Sequence, residues 1–550
     1  MNLSPEHLVI APILLPFITG VLLLFFDDRA RHVKTVISVL SIVALLAISI
    51  FLLCLVHTDN NVSGNKIAVY LLGNWPPPFA INLVLDHLSS MMLVLTAILA
   101  LPSLIFSLGR WHKAGVHFHT LFLLLLMGLN GAFLTGDLFN LFVFFEIMLA
   151  ASYGLVLHGS GLLRVKAGLH YIVINLASSM LFLVGVALIY SVTGTLNMAD
   201  LAIRIPQIND TNRIMLESGA AILSVAFLVK AGMWPLSFWL PTTYAAAPAP
   251  SAAIFAIMSK VGIYVLLRLS LLFFGNDPNF SESWGAQLLL YGGLATIGFG
   301  TVGVLASQTQ GRFAGFSVLI SSGTLLASIG LVQTEVTAGA LFYLASSTLA
   351  ISALFMLIEL IERGQNMAAS VLAVTMEAFG YDDEETEDEE IIGVAIPRTI
   401  AVLGTCFAAC TILLAGLPPL SGFIAKFVIL NALFNPDESG QMHFIPATLW
   451  WFLALLIFSG LATLIAMSRS GIRTFWAPPV DTALPRVLLI EIIPVATLLC
   501  MTLILTIQAG PVMRFMEATA NSLHAPRPYI EGVMKKPSNV LPHSIEESTE

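Results

Sequence analysis

The chain has 550 residues, of which 57% are hydrophobic and only 10% are charged, and its mean hydropathy is +0.90. Soluble domains carry roughly 25% charged residues, so this composition excludes a water-soluble enzyme, a disordered chain and a nucleic-acid-binding protein. The net charge of −9 comes largely from one acidic run at 382–390, and the rest of the chain is nearly neutral. The composition therefore indicates a polytopic membrane protein.

Fourteen apolar segments are long enough to cross a membrane, because a spanning helix needs about 20 mainly apolar residues. Their uniform hydrophobicity favours helices over the alternating strands of a membrane barrel. The first segment is expected to be a retained helix, since the N-terminus lacks the basic region and cleavage site of a signal peptide. The predicted spans are 8–26, 33–56, 85–108, 118–135, 138–157, 167–192, 220–240, 252–274, 286–305, 313–331, 338–361, 394–434, 447–466 and 487–508.

The basic residues of the loops predict the orientation of these spans. Leaving aside the C-terminal tail, the even-numbered loops hold only Lys66, Arg204 and Arg213. The odd-numbered loops hold twelve basic residues: Arg29, Arg31, Lys34, Arg110, Lys113, Arg164, Lys166, Arg312, Arg363, Arg469, Arg473 and Arg486. This excess predicts that the odd-numbered loops face the cytoplasm and that both termini lie outside.

Two segments outside the spans are unusual in composition. The loop 363–393 contains the acidic run, and a block of like charges is more often a solvated, self-repelling segment than a cation-collecting or partner-docking one. The tail 509–550 is rich in Pro, Ser and charged residues, and we expect it to be flexible or peripheral. We assign neither segment a role in a mechanism.

A seven-residue motif occurs twice, five predicted spans apart. Residues 231–237 read AGMWPLS and residues 415–421 read AGLPPLS, with five identical positions. Pro235 in the first copy, and Pro418 and Pro419 in the second, are expected to break their helices. A five-helix unit inverts its topology when it is repeated, and inverted repeats with matching broken helices are typical of ion and substrate transporters. The alternative is two ordinary proline kinks.

Few charged residues interrupt the spans, and each one costs roughly 2.5–3.5 kcal/mol at a helix centre. Glu146 lies in the middle of the fifth span, and Lys230 precedes the first break. Lys260 lies in the eighth span, and Lys426 follows the second break. Burial disfavours the charged form of a lysine, and a nearby carboxylate restores it. Glu146 and Lys230 are therefore a candidate switchable proton site, followed by the other two lysines; a static ion pair is the alternative.

Several other polar residues are weaker candidates for proton transfer. Asp86 and Asp137 lie near span ends. The alternative to proton transfer is that each carboxylate only stabilises the N-terminus of a helix. Arg268 lies two turns beyond Lys260. The alternative interpretation is that its long side chain only extends towards the membrane edge. His170 can relay a proton at physiological pH, although a single His at a helix start is more often a core or capping residue.

The motifs of soluble catalysis are absent from the sequence. There is no GxxxxGK[ST] loop, no HExxH and no nucleophile elbow in a plausible setting. We therefore expect no catalytic residue, no metal site and no cofactor in this chain. The energy for transport must come from an ion gradient or from a partner.

The residues around the first break and around Glu146 resemble a known family. The segments that carry the resemblance are 144–146 (FFE), 227–241 (FLVKAGMWPLSFWLP), 246–251 (AAPAPS) and 259–264 (SKVGIY). They resemble the proton-translocating antiporter-like subunits of respiratory complex I and of the Mrp cation/proton antiporters. Within that family, residues 415–427 and the acidic run most resemble the D-type subunits of Mrp Na⁺/H⁺ antiporters in their Gram-negative form.

The resemblance implies an all-α membrane fold of about fourteen helices with two inverted five-helix repeats, formed by spans 4–8 and 9–13. The implied parts are three N-terminal helices (1–108), the first repeat (118–274), the second repeat (286–466), a last helix (487–508) and the tail (509–550). It also implies a hetero-oligomer with other Mrp subunits that exports Na⁺, or Li⁺ or K⁺, in exchange for H⁺. The location implied is a bacterial inner membrane, with both termini in the periplasm.

The same resemblance implies roles for the buried charges. Glu146 and Lys230 correspond to the coupling pair, Lys260 to the bridging lysine and Lys426 to the terminal lysine.

The central part of the chain departs from the complex I pattern. The complex I relatives often carry a His in the tenth span and a Lys or His pair in the eleventh, whereas this chain has Ser321 and Ser322, and then Ser346 and Ser347. Serines hold water but do not titrate, so water is expected to help protons past this region. Two alternatives stay open: a proton-pumping subunit of complex I or of a membrane-bound hydrogenase, and a scaffold subunit that does not conduct.

Overall fold

The computed structural model describes residues 5–27, 30–57, 67–79, 81–115, 117–274, 284–379, 398–434, 447–476 and 487–535. The acidic run at 382–390 and the end of the tail, 536–550, lie outside the described residues.

Helices account for nearly all of the described chain. The first half contains α1 (Ala11–Leu22), α2 (Arg31–His57), α3 (His87–Ser107), α4 (Phe118–Leu134), α5 (Leu138–Leu157), α6 (Leu162–Thr193), α7 (Met198–Arg204), α8 (Asp210–Ala231), α9 (Trp239–Ala246) and α10 (Ala249–Phe274). The second half contains α11 (Trp284–Ala306), α12 (Gln310–Gly330), α13 (Thr334–Phe379), α14 (Arg398–Ala415), α15 (Ser421–Phe434), α16 (Ala447–Gly471), α17 (Leu489–Ile507), α18 (Ala509–His524) and α19 (Arg527–Met534).

Thirteen helical segments of the described chain are long and apolar enough to cross a membrane. Helix α4, an apolar helix of 17 residues, corresponds to the remaining predicted span. The predicted all-α polytopic membrane fold is therefore confirmed. Helix α8 begins at Asp210, ten residues before the predicted span, because its polar first turns extend the helix beyond the apolar segment.

One small sheet was missed by the prediction. Strands β1 (Ala68–Leu71) and β2 (Asn82–Leu85) pair antiparallel in the connection between α2 and α3. In this register Ala68 pairs with Leu85 and Leu71 pairs with Asn82. Strands of four residues are far shorter than a membrane span, so a search for apolar segments of about 20 residues does not detect them.

The seventh and twelfth predicted spans are each divided into two helices, α8 with α9 and α14 with α15. Pro235 lies between the helices at the first break, and Pro418 and Pro419 lie between them at the second. Gly232 has a φ of +75° and Gly416 a φ of +74°, a left-handed conformation that glycine adopts without strain. The chain thus has both expected breaks, while the division into two inverted repeats stays a prediction.

Helices α10 and α13 form the centre of the bundle. Their most apolar stretches are completely buried, whereas the corresponding stretches of α2 and α17 are only 33% buried. The outer helices therefore present apolar side chains to lipid or to other subunits. A polar side chain on α10 or α13 has to find its partners inside the protein.

The odd-numbered loops lie at one end of the bundle and the even-numbered loops at the other. At one end, which we call the odd-loop end, Trp111 after α3 donates to Glu359 near the last turns of the spanning part of α13. At the other, even-loop end, Arg268 of α10 pairs with Asp86 before α3, with 2.9 Å between Nη2 and Oδ1. This arrangement agrees with the alternation expected of consecutive membrane helices.

The first part of the tail is structured, contrary to the expectation of a flexible or peripheral segment. Helix α18 buries Met516, Ala520 and Leu523, and helix α19 buries Tyr529 and Val533. These spacings of three and four residues place the apolar side chains on one face of each helix. Composition alone does not detect such helices, because their other faces carry the polar residues.

The docking of α18 is expected to depend on pH through His524. Its Nε2 lies 3.1 Å from Thr337 Oγ1 of α13, and burial lowers the pKa of the imidazole to about 4. An undocked His has a pKa near 6.5, so the undocked state binds more protons between these values and docking weakens as the pH falls. The loss reaches at most about 2 kcal/mol at pH 5.

We expect the Tm of the purified protein to fall between pH 7 and pH 5, and His524→Gln to remove part of that fall. Thermal unfolding of both proteins at several pH values measures these changes in Tm. Equal pH dependence in the two proteins would show that His524 does not contribute.

Candidate functional site

Lys260 lies in the interior of the bundle and is completely buried. Its Nζ donates to Ser321 Oγ at 2.8 Å and to Ser322 Oγ at 3.3 Å, both on α12. None of the ion pairs formed among the described residues includes Lys260. A hydroxyl is both donor and acceptor, so this pocket can hydrogen-bond the protonated lysine and the neutral one.

The hydroxyls continue from α12 across α13 to the second broken helix. Ser321 Oγ lies 2.9 Å from Ser347 Oγ, and the neighbouring Ser346 Oγ lies 2.8 Å from Ser421 Oγ. Ser421 is the first residue of α15, directly after the break. Serines that replace the titratable residues of the complex I relatives thus form two direct hydroxyl pairs between Lys260 and the second break.

Lys426 is held by the end of the helix before the second break. Its Nζ donates to Ala415 O at 3.0 Å and to Leu414 O at 3.4 Å. These carbonyls lie at the negative end of the α14 dipole, which attracts a cation. A Cβ on Gly416 would lie 2.7 Å from Lys426 Cδ, so a glycine is needed here for space as well as for its backbone conformation.

Glu146 and Lys230 are neighbours that do not touch. The charge of Glu146 on α5 acts on Lys230 on α8, but the two do not form one of the ion pairs found in the described chain. Lys230 Nζ lies 5.6 Å from the ring centroid of Phe145, within the range of a cation–π interaction. Glu146 Oε1 is buried without a hydrogen-bond partner. The predicted pair is therefore in a separated arrangement.

A small cavity of about 10 Å³ lies between Lys230 and Ser259, the residue before Lys260. This is close to the space that one water molecule needs. The cavity is also lined by Tyr171, Asn175, Trp239 and Tyr244, among other residues. It gives a water-sized space in contact with both Lys230 and Ser259.

The weaker candidates mostly have structural roles. Asp137 caps α5 by accepting from the backbone N–H groups of Phe139 and Asn140. His170 lies on an exposed face of α6. Arg268 does not extend to the membrane edge but forms a buried ion pair with Asp86, which also caps α3. A search of one span at a time does not detect such a pair, because its members come from α10 and from the residue before α3.

The sequence reasoning missed an ionic cluster at the odd-loop end. Glu359 accepts from Trp111 Nε1 at 2.8 Å and from the backbone N–H of Ala249 at 3.2 Å, and it pairs with Arg363. Arg363 also pairs with Glu491 of α17 at 2.5 Å. The cluster joins α10, α13 and α17. Its signals in the sequence were Glu491 near the start of the last span, where a partner-contact or end-of-helix role is expected, and an acid and a base four residues apart at the end of the eleventh span.

Comparison with known proteins identifies the family. The family model described as "NADH:quinone oxidoreductase/Mrp antiporter, TM" matches residues 135–449. A protein of Rhizobium meliloti, named as the probable D subunit of a K⁺/H⁺ antiporter, is 57% identical to this chain, over 97% of the chain and 98% of that protein. The chain belongs to the family of Mrp antiporter D subunits.

More distant matches align over nearly all of the chain. The D subunit of the Na⁺/H⁺ antiporter of Alkalihalophilus pseudofirmus is 36% identical over 96% of this chain and 100% of that protein. A chain in the structure of the Mrp complex from Dietzia sp. DQ12-45-1b is 25% identical, with a TM-score of 0.81 over 97% of this chain and 100% of that one. Glu146, Lys230, Lys260 and Lys426 all lie inside the matched region, 135–449.

Removing one hydroxyl should test the contact between Lys260 and α12. We expect Ser321→Ala to lower cation/proton exchange about tenfold or more, since a hydrogen bond to a charged group contributes about 1.5–3 kcal/mol. Ser317→Ala is the matched control, because Ser317 is buried on the same helix and donates only to its own backbone, at Phe313 O. Exchange and expression are measured in vesicles. Equal exchange in the two variants would argue against a role for Ser321.

Proposed function

We propose that this chain is the D subunit of a hetero-oligomeric cation/proton antiporter in a bacterial inner membrane, a transporter subunit and not an enzyme. The observation that carries the proposal is the completely buried Lys260, bound to hydroxyls and to no carboxylate of the described chain. Membership of the Mrp antiporter family supports the same function. Other Mrp subunits are its proposed partners, since the relatives are named as subunits.

In the proposed pathway, Lys260 takes up a proton and passes it on through Ser321. The protonated amine donates to Ser321 Oγ at 2.8 Å, and that hydroxyl can pass its own proton towards Ser347. On the far side, Ser421 leads to Lys426, which lies five residues along the same helix. Each step exchanges a proton between groups that can both donate and accept it.

Glu146 and Lys230 are the proposed gate of this pathway. A carboxylate close to Lys230 favours its protonated form, and separation of the two favours release of the proton. In the separated arrangement, a proton released by Lys230 has the small cavity towards Ser259 beside it. Movement of Glu146 towards Lys230 is the proposed step that stops this release.

The transported cation is proposed to include K⁺ as well as Na⁺. The relative that is 57% identical is named for K⁺/H⁺ exchange, and the one that is 36% identical is named for Na⁺/H⁺ exchange. Because the more similar relative carries the K⁺ name, we expect K⁺ to give the larger activity. The cation leaves the cell and the proton enters, with both termini of this subunit outside.

The test is the dissipation of a pH gradient by added KCl, NaCl or LiCl in everted vesicles that contain the complete set of subunits. We expect Lys260→Ala to abolish the response, with a loss of tenfold or more, because the variant lacks the amine that donates to Ser321 and Ser322. Lys166→Ala is the control, since Lys166 is an exposed lysine on α6.

Full exchange by Lys260→Ala in an assembled complex would refute the pathway and leave a scaffold role. A gradient formed on addition of an electron donor, without any response to cations, would favour a redox-driven pump.

A further inference from the structure

A cationic cavity of about 190 Å³ lies at the odd-loop end, away from the proton pathway. Its lining comes from the first turn of α2, from the connection between α3 and α4, and from the start of α4. The ten lining residues are Arg31, Lys34, His112, Lys113, Ala114, Gly115, His117, Phe118, His119 and Thr120. Three of these residues are arginine or lysine, three are histidines, and none is acidic.

His119 is the residue that indicates a ligand. It is only 7% exposed, and both of its ring nitrogens are buried without a hydrogen-bond partner. A buried imidazole with neither nitrogen satisfied is costly. Because His119 lines the cavity, an anion placed there would supply the missing acceptor for one of its N–H groups.

The charges around the cavity reinforce one another. Burial lowers the pKa of His112, and the charges of Lys113 and Arg31 lower it further. No carboxylate is among the groups that act on His112 or on His119. The local field of the described residues is therefore positive and favours an anion over a cation.

The surface beside the cavity suits an acyl chain. Val33, Val36 and Leu40 of α2 are 44%, 56% and 63% exposed. Their spacing of three and four residues makes them a stripe along one side of the helix, which leads from the basic end into the apolar part of the span. A charged headgroup site above an apolar stripe is the pattern of a phospholipid, and basic pockets between membrane helices on the cytoplasmic side bind anionic headgroups.

We propose that Arg31, Lys113 and His119 bind the phosphate of an anionic phospholipid, with one of its acyl chains along the outer face of α2. The cavity, about 190 Å³, is more than ten times the roughly 10–15 Å³ that one water molecule needs, which gives room for a phosphodiester. The bound lipid links the N-terminal helices to α4, the first helix of the predicted repeat. This site does not depend on the proposed proton pathway.

The test measures binding of defined lipids to the purified complex by native mass spectrometry and thermal shift. The probes are phosphatidylglycerol, phosphatidylcholine and inorganic phosphate. We expect phosphatidylglycerol to bind at least tenfold more tightly than phosphatidylcholine, and the double variant Arg31→Gln, Lys113→Gln to lose most of that difference. Both residues are exposed, so the variant should fold. His119→Phe should weaken binding as well.

The matched control is the double variant Lys166→Gln, Arg312→Gln. It removes two exposed charges from the first turns of α6 and α12 at the same end of the bundle, outside the cavity, and should bind phosphatidylglycerol like the unchanged complex. Equal binding by the two double variants would overturn the proposal. A rise in Tm on addition of inorganic phosphate, without a preference for phosphatidylglycerol, would also overturn the proposal. It would indicate a site for a free anion.

Discussion

A lysine at the centre of a membrane bundle sets the conditions for the rest of this structure. An ammonium group in low dielectric must receive hydrogen-bond acceptors from the protein. For Lys260 those acceptors are hydroxyls of α12, and they are in reach because α10, α12 and α13 pack as the most enclosed helices. A carboxylate would have held the charge more firmly. Hydroxyls can hydrogen-bond the protonated amine and the neutral one alike.

The two broken helices solve the same backbone problem in different ways. Each break frees carbonyl oxygens that need a donor inside the membrane. At the first break, Val229 O accepts from the indole Nε1 of Trp239 at 3.3 Å. At the second, the freed carbonyl of Ala415 accepts from Lys426 at 3.0 Å. The shared motif therefore fixes the geometry of both breaks, while a residue outside it supplies the side-chain donor to the carbonyl.

The sequence predicted correctly those features that depend on interactions within one segment of the chain. Span positions, both breaks and the buried charges follow from apolar length, proline chemistry and the cost of burying an ion, all of which act within one segment. Prediction was weak where the partner is distant in sequence. Arg268 pairs with Asp86, and Arg363 pairs with Glu491, and a single chain read in order gives no sign of either contact. The same holds for the serines. The sequence shows that they are serines, but it does not show that they pair across α12, α13 and α15.

The two hydroxyl pairs on α13 have a consequence for the membrane as an insulator. Ser346 and Ser347 are consecutive, and consecutive side chains of an α-helix point about 100° apart. Ser347 meets α12 on one side, and Ser346 meets α15 on another. The hydrogen-bonded chain is therefore interrupted within a single helix. An unbroken chain would let protons leak down their gradient whenever the protein was idle, whereas a chain with a gap conducts only when a side chain turns or a water enters. In the proposed pathway, the helix that carries the protons therefore also opposes their leakage.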